Sequence, residues 1–445
     1  MNKDKMGTAP LTNLLISMSI PIMISMLVQA LYNIVDNIFV SQLGETALSA
    51  VAISFPMQHF MLAASVGLGV GMNNVISRNL GAKQDKTAQL AVKHALLLAL
   101  LISFVFVGFS IVFAKPFLQL QTNDADLLAM SYRYLSVVTL FPFGLFFQVV
   151  FERLLQSTGL ASLSMRSQIL GAVVNITLDP ILIFGWFGLP ALGVHGAAIA
   201  TIIGQSVAAS YGLYLNIKHN EILGLRVKEF ELRADIILDI TKIGLPSMLV
   251  VSVTSLMNFG MNTILKAYGT LALAVYGIYT RLQSFVFMPV FGLNNAMIPL
   301  TGYNLGARKH DRVKGFIKLG LFAGTSIMIL GLLIFQLIPS FLLSMFNATS
   351  EMLREGQLAL RIISLSFVFF GINVVVNSVL QSFRKPLLAM GLTLLRSIIL
   401  LLSFAYLFSN WFGLVGIWWS FPLAEGLVVF LSLYFVRWLF KTQMD

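Results

Sequence analysis

The sequence predicts an all-α integral membrane protein in which twelve transmembrane helices form two six-helix lobes related by a parallel repeat. Three observations support this fold class: a hydrophobic composition, an alternation of basic loops with loops of low charge, and an internal repeat. Of the 445 residues, 58% are hydrophobic and only 11% are charged, a composition that excludes a soluble globular domain. Because lipid offers no hydrogen-bond partners to an open backbone, we expect the apolar segments to be helices.

Short polar interruptions divide the chain into twelve apolar runs. A helix needs about 20 apolar residues to cross a bilayer core of about 30 Å, and each run reaches that length. The first run is too long for the core of a signal peptide and no small-residue cleavage site follows it, so we predict that it is retained as a helix. The predicted helices lie near 12–40, 46–76, 89–113, 129–157, 162–186, 191–217, 236–266, 271–300, 314–338, 358–383, 386–409 and 413–440.

Basic residues crowd every second loop between these helices. The odd-numbered loops hold few, and the fifth loop, 185–190, holds none. Because Lys and Arg are retained on the cytoplasmic side, the even loops and both termini are predicted to be cytoplasmic, which requires an even number of crossings. The basic residues of the even loops are Arg78, Lys83, Lys86, Lys93, Arg153, Arg166, Lys218, Arg226, Lys228, Arg233, Lys242, Arg308, Lys309, Arg312, Lys314, Lys318, Arg384 and Lys385.

These loops account for the formal net charge of +11, so we expect no nucleic-acid partner. The chain has no cysteine. Disulfides, thiolate chemistry and cysteine-based metal sites are therefore excluded.

The second half of the chain repeats the first at an offset of 225 residues. The matches are Pro21 with Pro246, Asn33 with Asn258, Asn37 with Asn262, Gly44 with Gly269, 79–82 with 304–307, and 155–157 with 380–382. Near the end of each half the offset becomes 220, where 193–196 matches 413–416. Because six helices is an even number, both halves enter the membrane from the same side, and the repeat is parallel rather than inverted.

The repeat predicts an N-terminal lobe over 1–217, a charged cytoplasmic linker over 218–242 and a C-terminal lobe over 243–445. In a parallel repeat the pseudo-twofold axis runs along the membrane normal, and the substrate cavity is expected between the two halves. Alternatively, the duplication serves helix packing alone and forms no substrate cavity.

Asp36 is an acid inside the first predicted helix, where a charge costs about 2.5–3.5 kcal/mol on insertion scales. The helical spacings i, i+3 and i, i+4 place it on one stripe with Gln29, Asn33 and Asn37, which we expect to face protein or water. If the helix instead ends near Val40 at the outer surface, Asp36 would bond a backbone amide.

Asp179 is the second costly acid and lies in the fifth predicted helix. Asn175 is its i−4 neighbour, and Pro180 cannot donate to the carbonyl of Ile176, which is left free beside the carboxylate. Carboxylate, amide and carbonyl oxygens suit a small hard cation, and a carboxylate can instead take up a proton. These residues do not distinguish Na⁺ from H⁺ as the coupling ion.

The second half lacks this pair of acids. Met261 is the counterpart of Asp36, and the helix that matches the fifth carries Arg396 but no acid over 396–404. The ion site is therefore predicted in the N-terminal lobe alone. Glu425 in the twelfth helix is a candidate second protonation site, and Glu152 is placed near the cytoplasmic end of the fourth helix, where its side chain can reach water.

Other groups are predicted to line the substrate cavity. Methionine adapts its shape at little cost, and aromatic faces attract organic cations. Arg281, inside the eighth helix, either lines the cavity or forms a structural ion pair. The predicted cavity residues are Gln29, Asn33, Asn37, Met57, Met61, Met257, Arg281 and Phe287.

Two parallel halves that each begin with a proline-containing helix and carry Asn-Leu-Gly-Ala after the second helix resemble the multidrug and toxic compound extrusion (MATE) family over nearly the whole chain. The segments 277–307 and 175–180 are similar to that family's motifs in the eighth and fifth helices. The resemblance implies a cation or proton site at Asp36, Asn175, Asp179 and Thr201, in which the first three would bind Na⁺ if sodium is the coupling ion. Thr201 rests on the resemblance alone, and the family's branch with paired acids in the C-terminal lobe is not matched.

The resemblance also implies a function. We expect a monomeric antiporter of the bacterial inner membrane that exports amphipathic, often cationic drugs by alternating access, coupled to H⁺ or Na⁺, with no other cofactor and with membrane lipids around it. Such export would contribute to antibiotic resistance. A flippase for lipid-linked oligosaccharides is the alternative, although it would need a cationic cavity. An intramembrane enzyme is disfavoured because no Asp-rich diphosphate motif or protease set is present.

Overall fold

The computed structural model describes residues 4–220, 231–346 and 348–443. Over these ranges the chain is helical and contains no strand, as the sequence predicts. Residues 221–230 of the predicted linker, with Arg226 and Lys228, lie outside the described residues.

Twelve spans follow one another along the described residues, and we number them in order. The fourth and the tenth are bent pairs of helices, and the eleventh and twelfth run on without a loop. The spans are Leu11–Ser41, Glu45–Gly81, Asp85–Gln119, Ala125–Leu140 with Phe143–Ser157, Ala161–Phe184, Val194–His219, Ala234–Leu265, Gly269–Gly306, His310–Leu337, Ser350–Ser364 with Ser366–Ser382, and finally Pro386–Leu394, a π-helical turn Leu395–Leu400 and Leu401–Gln443. Short helical turns lie at Lys5–Thr8, Trp186–Gly188, Lys266–Tyr268 and Pro339–Ser344.

The predicted number of crossings is confirmed by the lengths of these helices. Eight described helical segments are long and apolar enough to cross a membrane, and ten are when each bent pair counts as one span. Two of the eight, Ala234–Gly306 and Pro386–Gln443, run for 73 and 58 residues, more than twice the roughly 20 residues of one crossing. Each is interrupted by a glycine with positive φ, Gly269 at +87° and Gly413 at +62°, so each supplies two crossings and the total is twelve.

The bends in the fourth and tenth spans differ from the prediction, which gave one helix each over 129–157 and 358–383. The two helices of the fourth span meet at 45° and those of the tenth at 41°. In the fourth span the break falls at Phe141 and Pro142, and proline has no N–H to continue the helical ladder. Both spans also begin earlier than predicted, at Ala125 and Ser350.

The internal repeat is present in the backbone conformation as well as in the residues. Four pairs of residues with positive φ occupy equivalent places: Gly44 and Gly269, Lys83 and Arg308, Gly159 and Arg384, and, at the shorter offset, Gly193 and Gly413. Their hydrogen bonds match too. The Lys83 N–H donates to the Leu80 carbonyl at 3.1 Å, and the Arg308 N–H donates to the Leu305 carbonyl at 3.1 Å.

Gly193 and Gly413 precede the sixth and twelfth spans in a conformation that other residues rarely adopt. Their backbone angles are φ 57°, ψ −135° and φ 62°, ψ −144°. Replacing either by alanine is expected to lower stability by about 1–3 kcal/mol, the usual cost of such strain. An added Cβ at Gly413 meets nothing within 4 Å, so at this position strain acts without a clash. The thermal unfolding midpoint in detergent measures the effect. As a control, Gly108→Ala, at a glycine inside a helix, should not lower the midpoint. Equal midpoints for G413A and the parent protein would contradict this interpretation.

The chain divides into two compact units whose limits fall inside the first and seventh spans. Ile24–Met248 form one, here called the N-terminal unit, and Met1–Met23 with Leu249–Asp445 form the other, the C-terminal unit. Within the C-terminal unit the chain start is bound by side chains near the ninth span, since Lys309 Nζ donates to the Gly7 carbonyl at 2.8 Å and Arg312 Nη2 to the Ala9 carbonyl at 2.7 Å. The division into compact units does not test the predicted lobes, 1–217 and 243–445, which remain a prediction.

Candidate functional site

The fifth span places Asn175 and Asp179 inside the N-terminal unit. The two residues are one helical turn apart, so their side chains leave the same face. Asn175 is 3% exposed and Asp179 is fully buried. Pro180 lies inside this helix, and its missing N–H leaves the helix without one hydrogen bond beside the carboxylate.

The sixth span brings Thr201 to Asn175. Asn175 Nδ2 donates to Thr201 Oγ1 at 3.4 Å, and Thr201 Oγ1 donates to the Ala197 carbonyl at 3.1 Å. This approach is possible because glycines face each other between the two spans: a Cβ on Gly204 would lie 2.8 Å from the Gly171 carbonyl oxygen and 3.0 Å from Asn175 Cβ.

The first span supplies Asp36, whose side chain is half-buried in the same unit. Asp36 and Asp179 are close enough for their charges to interact. Among the described residues, no hydrogen-bond donor reaches Asp36 Oδ1, Asn175 Oδ1 or either carboxylate oxygen of Asp179, although all four oxygens are buried. Buried acceptors are almost always paired, so this cluster of oxygens requires water, a proton or a cation.

Two tyrosines beside the acids were not identified from the sequence. Tyr32 and Tyr134 both interact electrostatically with Asp36 and Asp179. Tyr32 lies three residues after Gln29 and four before Asp36, so the helical stripe of the first span contained a signal for it. Tyr134 comes from the fourth span, and no pattern in the sequence connects it to the acids.

The polar stripe of the first span is divided in the structure. Gln29 is half-buried and accepts a hydrogen bond from Gln168 Nε2 at 3.3 Å. Asn33 and Asn37 are exposed, and Asn37 Nδ2 donates to the Asn33 carbonyl at 2.7 Å. Of the predicted stripe, Gln29 and Asp36 therefore face the interior of the unit, while the two asparagines do not.

Glu152 is buried rather than directed toward water. It is 8% exposed, and Oε1 accepts a hydrogen bond from Gln148 Nε2 at 2.9 Å. It also interacts electrostatically with Tyr32. The prediction that this side chain reaches the cytoplasmic surface was wrong, because its own helix supplies a polar partner one turn away.

The remaining predicted cavity residues are distributed over both units. Met57 and Met61 are buried in the N-terminal unit, at 8% and 1% exposure. In the C-terminal unit Phe287 is buried and stacks on a neighbouring ring at 3.9 Å between centroids, Met257 is half-buried, and Arg281 is exposed. Their role in lining a substrate cavity stays a prediction.

A second charged cluster lies in the C-terminal unit. Arg396 Nη1 is 2.6 Å from Glu425 Oε1, and both side chains are largely buried. In the sequence, 29 positions and a span boundary separate the two residues, so no local pattern predicts the pair.

The N-terminal cluster suits a monovalent cation or a proton. Two carboxylates, an amide oxygen and a hydroxyl are hard ligands of low total charge. In the described part of the chain, no three His, Cys, Asp or Glu side chains gather as they would around a metal ion. A proton on one carboxyl group would turn an acceptor into a donor for the neighbouring oxygens.

Comparisons with known proteins point to one family over nearly the whole chain. The family model MatE matches residues 21–181 and 246–407, once in each half. The multidrug export protein MepA of Staphylococcus aureus is 26% identical over 421 residues, which cover 94% of this chain and 92% of MepA. An FAD transporter of Shewanella oneidensis is 26% identical over 431 residues, covering 96% and 95%.

A solved structure shares the fold throughout. The outward-facing conformation of a multidrug resistance MATE family transporter of the MOP superfamily matches with a TM-score of 0.94 and 24% identity, covering 100% of this chain and 99% of that one. The likeness shows that the two chains share a fold.

Proposed function

Because this chain belongs to the MatE family of membrane transporters, we propose that it is an antiporter that exports amphipathic, often cationic organic compounds in exchange for Na⁺ or H⁺. A transporter moves its substrate unchanged, so the protein is not an enzyme. One observation supports the coupling above all others: four buried oxygens of Asp36, Asn175 and Asp179 have no hydrogen-bond donor among the described residues.

The cluster supplies the energetic link that coupling needs. Two neighbouring carboxylates repel each other, and a cation or proton between them removes that repulsion. A conformation that holds the oxygens together is therefore stabilised by the cation, whereas one that separates them is not. A ligand shifts an equilibrium only by its difference in affinity for the two states, and the cluster provides such a difference.

The cation gradient supplies the driving force. In one-for-one exchange with a monovalent organic cation no net charge moves, and a tenfold cation gradient supports about a tenfold substrate ratio. Each net positive charge that enters adds about 2.3 kcal/mol per 100 mV of membrane potential. We propose that the cation enters from outside, binds the cluster, and favours the state that releases substrate outward. The chain would work as a monomer in the bacterial cytoplasmic membrane, with both termini in the cytoplasm.

Transport in everted membrane vesicles tests this function. The lumen of an everted vesicle corresponds to the outside of the cell. A higher concentration of Na⁺ or of H⁺ in the lumen should therefore drive accumulation of a fluorescent organic cation in the lumen, and one of the two gradients should suffice. Vesicles that lack the protein should show neither response. Equal accumulation with and without a cation gradient would contradict the proposed coupling.

Replacing Asn175 by alanine should weaken the cation site without disrupting the helix. The amide oxygen is lost as a ligand for Na⁺, or as an acceptor for a proton carried by Asp179. A hydrogen bond to a charged group is worth about 1.5–3 kcal/mol, so the cation concentration for half-maximal export should rise at least about tenfold. Thr177→Ala is the matched control, because Thr177 is exposed on the same helix and, among the described residues, donates to the Val173 carbonyl alone. An unchanged half-maximal concentration in N175A would exclude Asn175 from the site.

A further inference from the structure

The ion pair of the C-terminal unit lies where the eleventh span departs from α-helical geometry. Arg396 belongs to the π-helical turn Leu395–Leu400, and Glu425 belongs to the twelfth span. The side chains of Arg396 and Glu425 are 16% and 13% exposed. The guanidinium carbon lies 4.9 Å from the centre of the Phe370 ring, so one face of the cation is covered by an aromatic ring.

Glu425 is fully engaged by its neighbours. Oε1 is bound by Arg396, and Oε2 accepts a hydrogen bond from Asn373 Nδ2 at 2.8 Å. Asn373 is fixed in turn, because its Oδ1 accepts from Ser432 Oγ at 2.9 Å. The network positions the carboxylate on one side of the guanidinium.

Arg396 retains unused donors. A guanidinium has five N–H groups, and in the described residues only one of its nitrogens, Nη1, has a hydrogen-bond partner. Arg396 also lines a cavity of about 20 Å³ in the same unit. Because one water needs about 10–15 Å³ of such space, the cavity holds one or two particles of that size.

The lining of this cavity favours a negative guest. Arg396 contributes the only charge among the described residues that line it, and no acid lines it. Asn377 adds an amide group that donates to Thr393 Oγ1 at 3.2 Å and retains a second hydrogen. The cavity residues are Asn373, Val374, Asn377, Ala389, Leu392, Thr393, Arg396, Val428 and Ser432.

We propose that this cavity is a binding site for a small monovalent anion of halide size, with chloride as the abundant representative, held by the unused N–H groups of Arg396. The small volume favours a guest of halide size, since a phosphate or sulfate with four oxygens needs several times the space of one water. The site is independent of the proposed cation site, whose residues all belong to the N-terminal unit.

Charge balance links the anion to a proton. Arg396 and Glu425 neutralise each other, so an added anion leaves the cluster with a net charge of −1 in a poorly solvated place, which is costly. A proton on Glu425 restores neutrality. Among the described residues, Tyr279 of the eighth span also interacts with Glu425, and it is a buried phenol that is neutral when protonated. Anion binding should therefore take up a proton, and anion affinity should rise as the pH falls.

Thermal unfolding of the full-length protein in detergent tests the site. Chloride or bromide is titrated against gluconate at constant ionic strength, at acidic and alkaline pH. The parent protein should be stabilised by either halide, more strongly at acidic pH. Glu425→Gln should bind halide at least about tenfold more tightly, a change of about 1.4 kcal/mol, and should lose the pH dependence. Arg396→Gln should lose the halide effect.

Controls separate this proposal from a purely structural ion pair. Arg361→Gln, which removes an exposed arginine of the tenth span, should leave the halide effect unchanged. Ala389→Val adds two methyl groups to the cavity lining, leaves the residues of the ion pair unchanged and should abolish the halide effect. This variant still tests the proposal if R396Q does not fold. Asp179→Asn should retain the halide effect even if the proposed cation coupling is wrong. A halide response absent from both the parent protein and E425Q, or retained in A389V, would overturn the proposal.

Discussion

Asp179→Asn is expected to abolish cation-driven export while the protein remains folded in the membrane. Asparagine has the same shape but can neither carry the negative charge that attracts Na⁺ nor accept the coupling proton. The imposed gradient can then no longer drive exchange, so with a tenfold cation gradient the accumulation ratio should fall about tenfold, to the level without a gradient. Accumulation of an organic cation in everted vesicles measures the effect.

The same substitution should not destabilise the fold. Asp179 is fully buried and no described donor reaches its oxygens, so removing its charge removes a desolvation cost. The unfolding midpoint in detergent should be equal or higher in the absence of the coupling cation. Asp85→Asn, an exposed acid in the first turn of the third span, is the matched control and should export normally. Export by D179N with an unchanged dependence on the cation would remove Asp179 from the mechanism.

Gly204→Val is expected to damage stability and the proposed site together. An added Cβ would lie 2.8 Å from the Gly171 carbonyl oxygen and 3.0 Å from Asn175 Cβ, and real Cβ atoms do not approach so closely. The fifth and sixth spans would have to separate, at a cost of about 1–3 kcal/mol for overpacking. Separation also breaks the 3.4 Å contact between Asn175 and Thr201.

Two measurements on this variant separate the effects. The unfolding midpoint should fall, and the fraction that folds should need a higher cation concentration for half-maximal export than the parent protein. Gly108→Val, at a helical glycine of the third span where an added Cβ meets nothing within 4 Å, should change neither quantity. A normal midpoint for G204V would show that these two spans can move apart at no cost.

Much of the fold was predictable because membrane helices are determined by local composition. Runs of apolar residues identified the spans, and the positions of the basic loops required an even number of crossings. The repeat was visible in the residues and reappears in the backbone, as in Lys83 and Arg308. The bend at Pro142 was also readable in principle, whereas the bend at Leu365 has no proline beside it.

The acids of the candidate site were predictable for a different reason. A charge inside a span is costly and therefore conspicuous, which singled out Asp36 and Asp179 before any contact was known. Contacts between spans were not predictable in this way. Tyr134 and the pairing of Arg396 with Glu425 depend on helix packing, and residues far apart in the chain carry no mark of their proximity.

The limits of the compact units also depend on contacts between helices rather than on local composition. Loop composition placed a charged linker over 218–242, yet the units divide between Met23 and Ile24 and between Met248 and Leu249. Both limits fall inside apolar helices at equivalent positions of the repeat. Nothing in the composition of those helices changes at these positions, because membership of a unit is a property of contacts.

Counting the coupling ion during transport tests the central claim most directly. In proteoliposomes with substrate inside and Na⁺ or H⁺ outside, the influx of the ion is measured together with the efflux of substrate. The proposed mechanism predicts a fixed ratio of ions entering to substrate molecules leaving, and loss of both fluxes in the Asp36→Asn, Asp179→Asn double variant. Substrate efflux at the parent rate in that variant, or efflux without any ion influx in the parent protein, would contradict a cation site at these two acids.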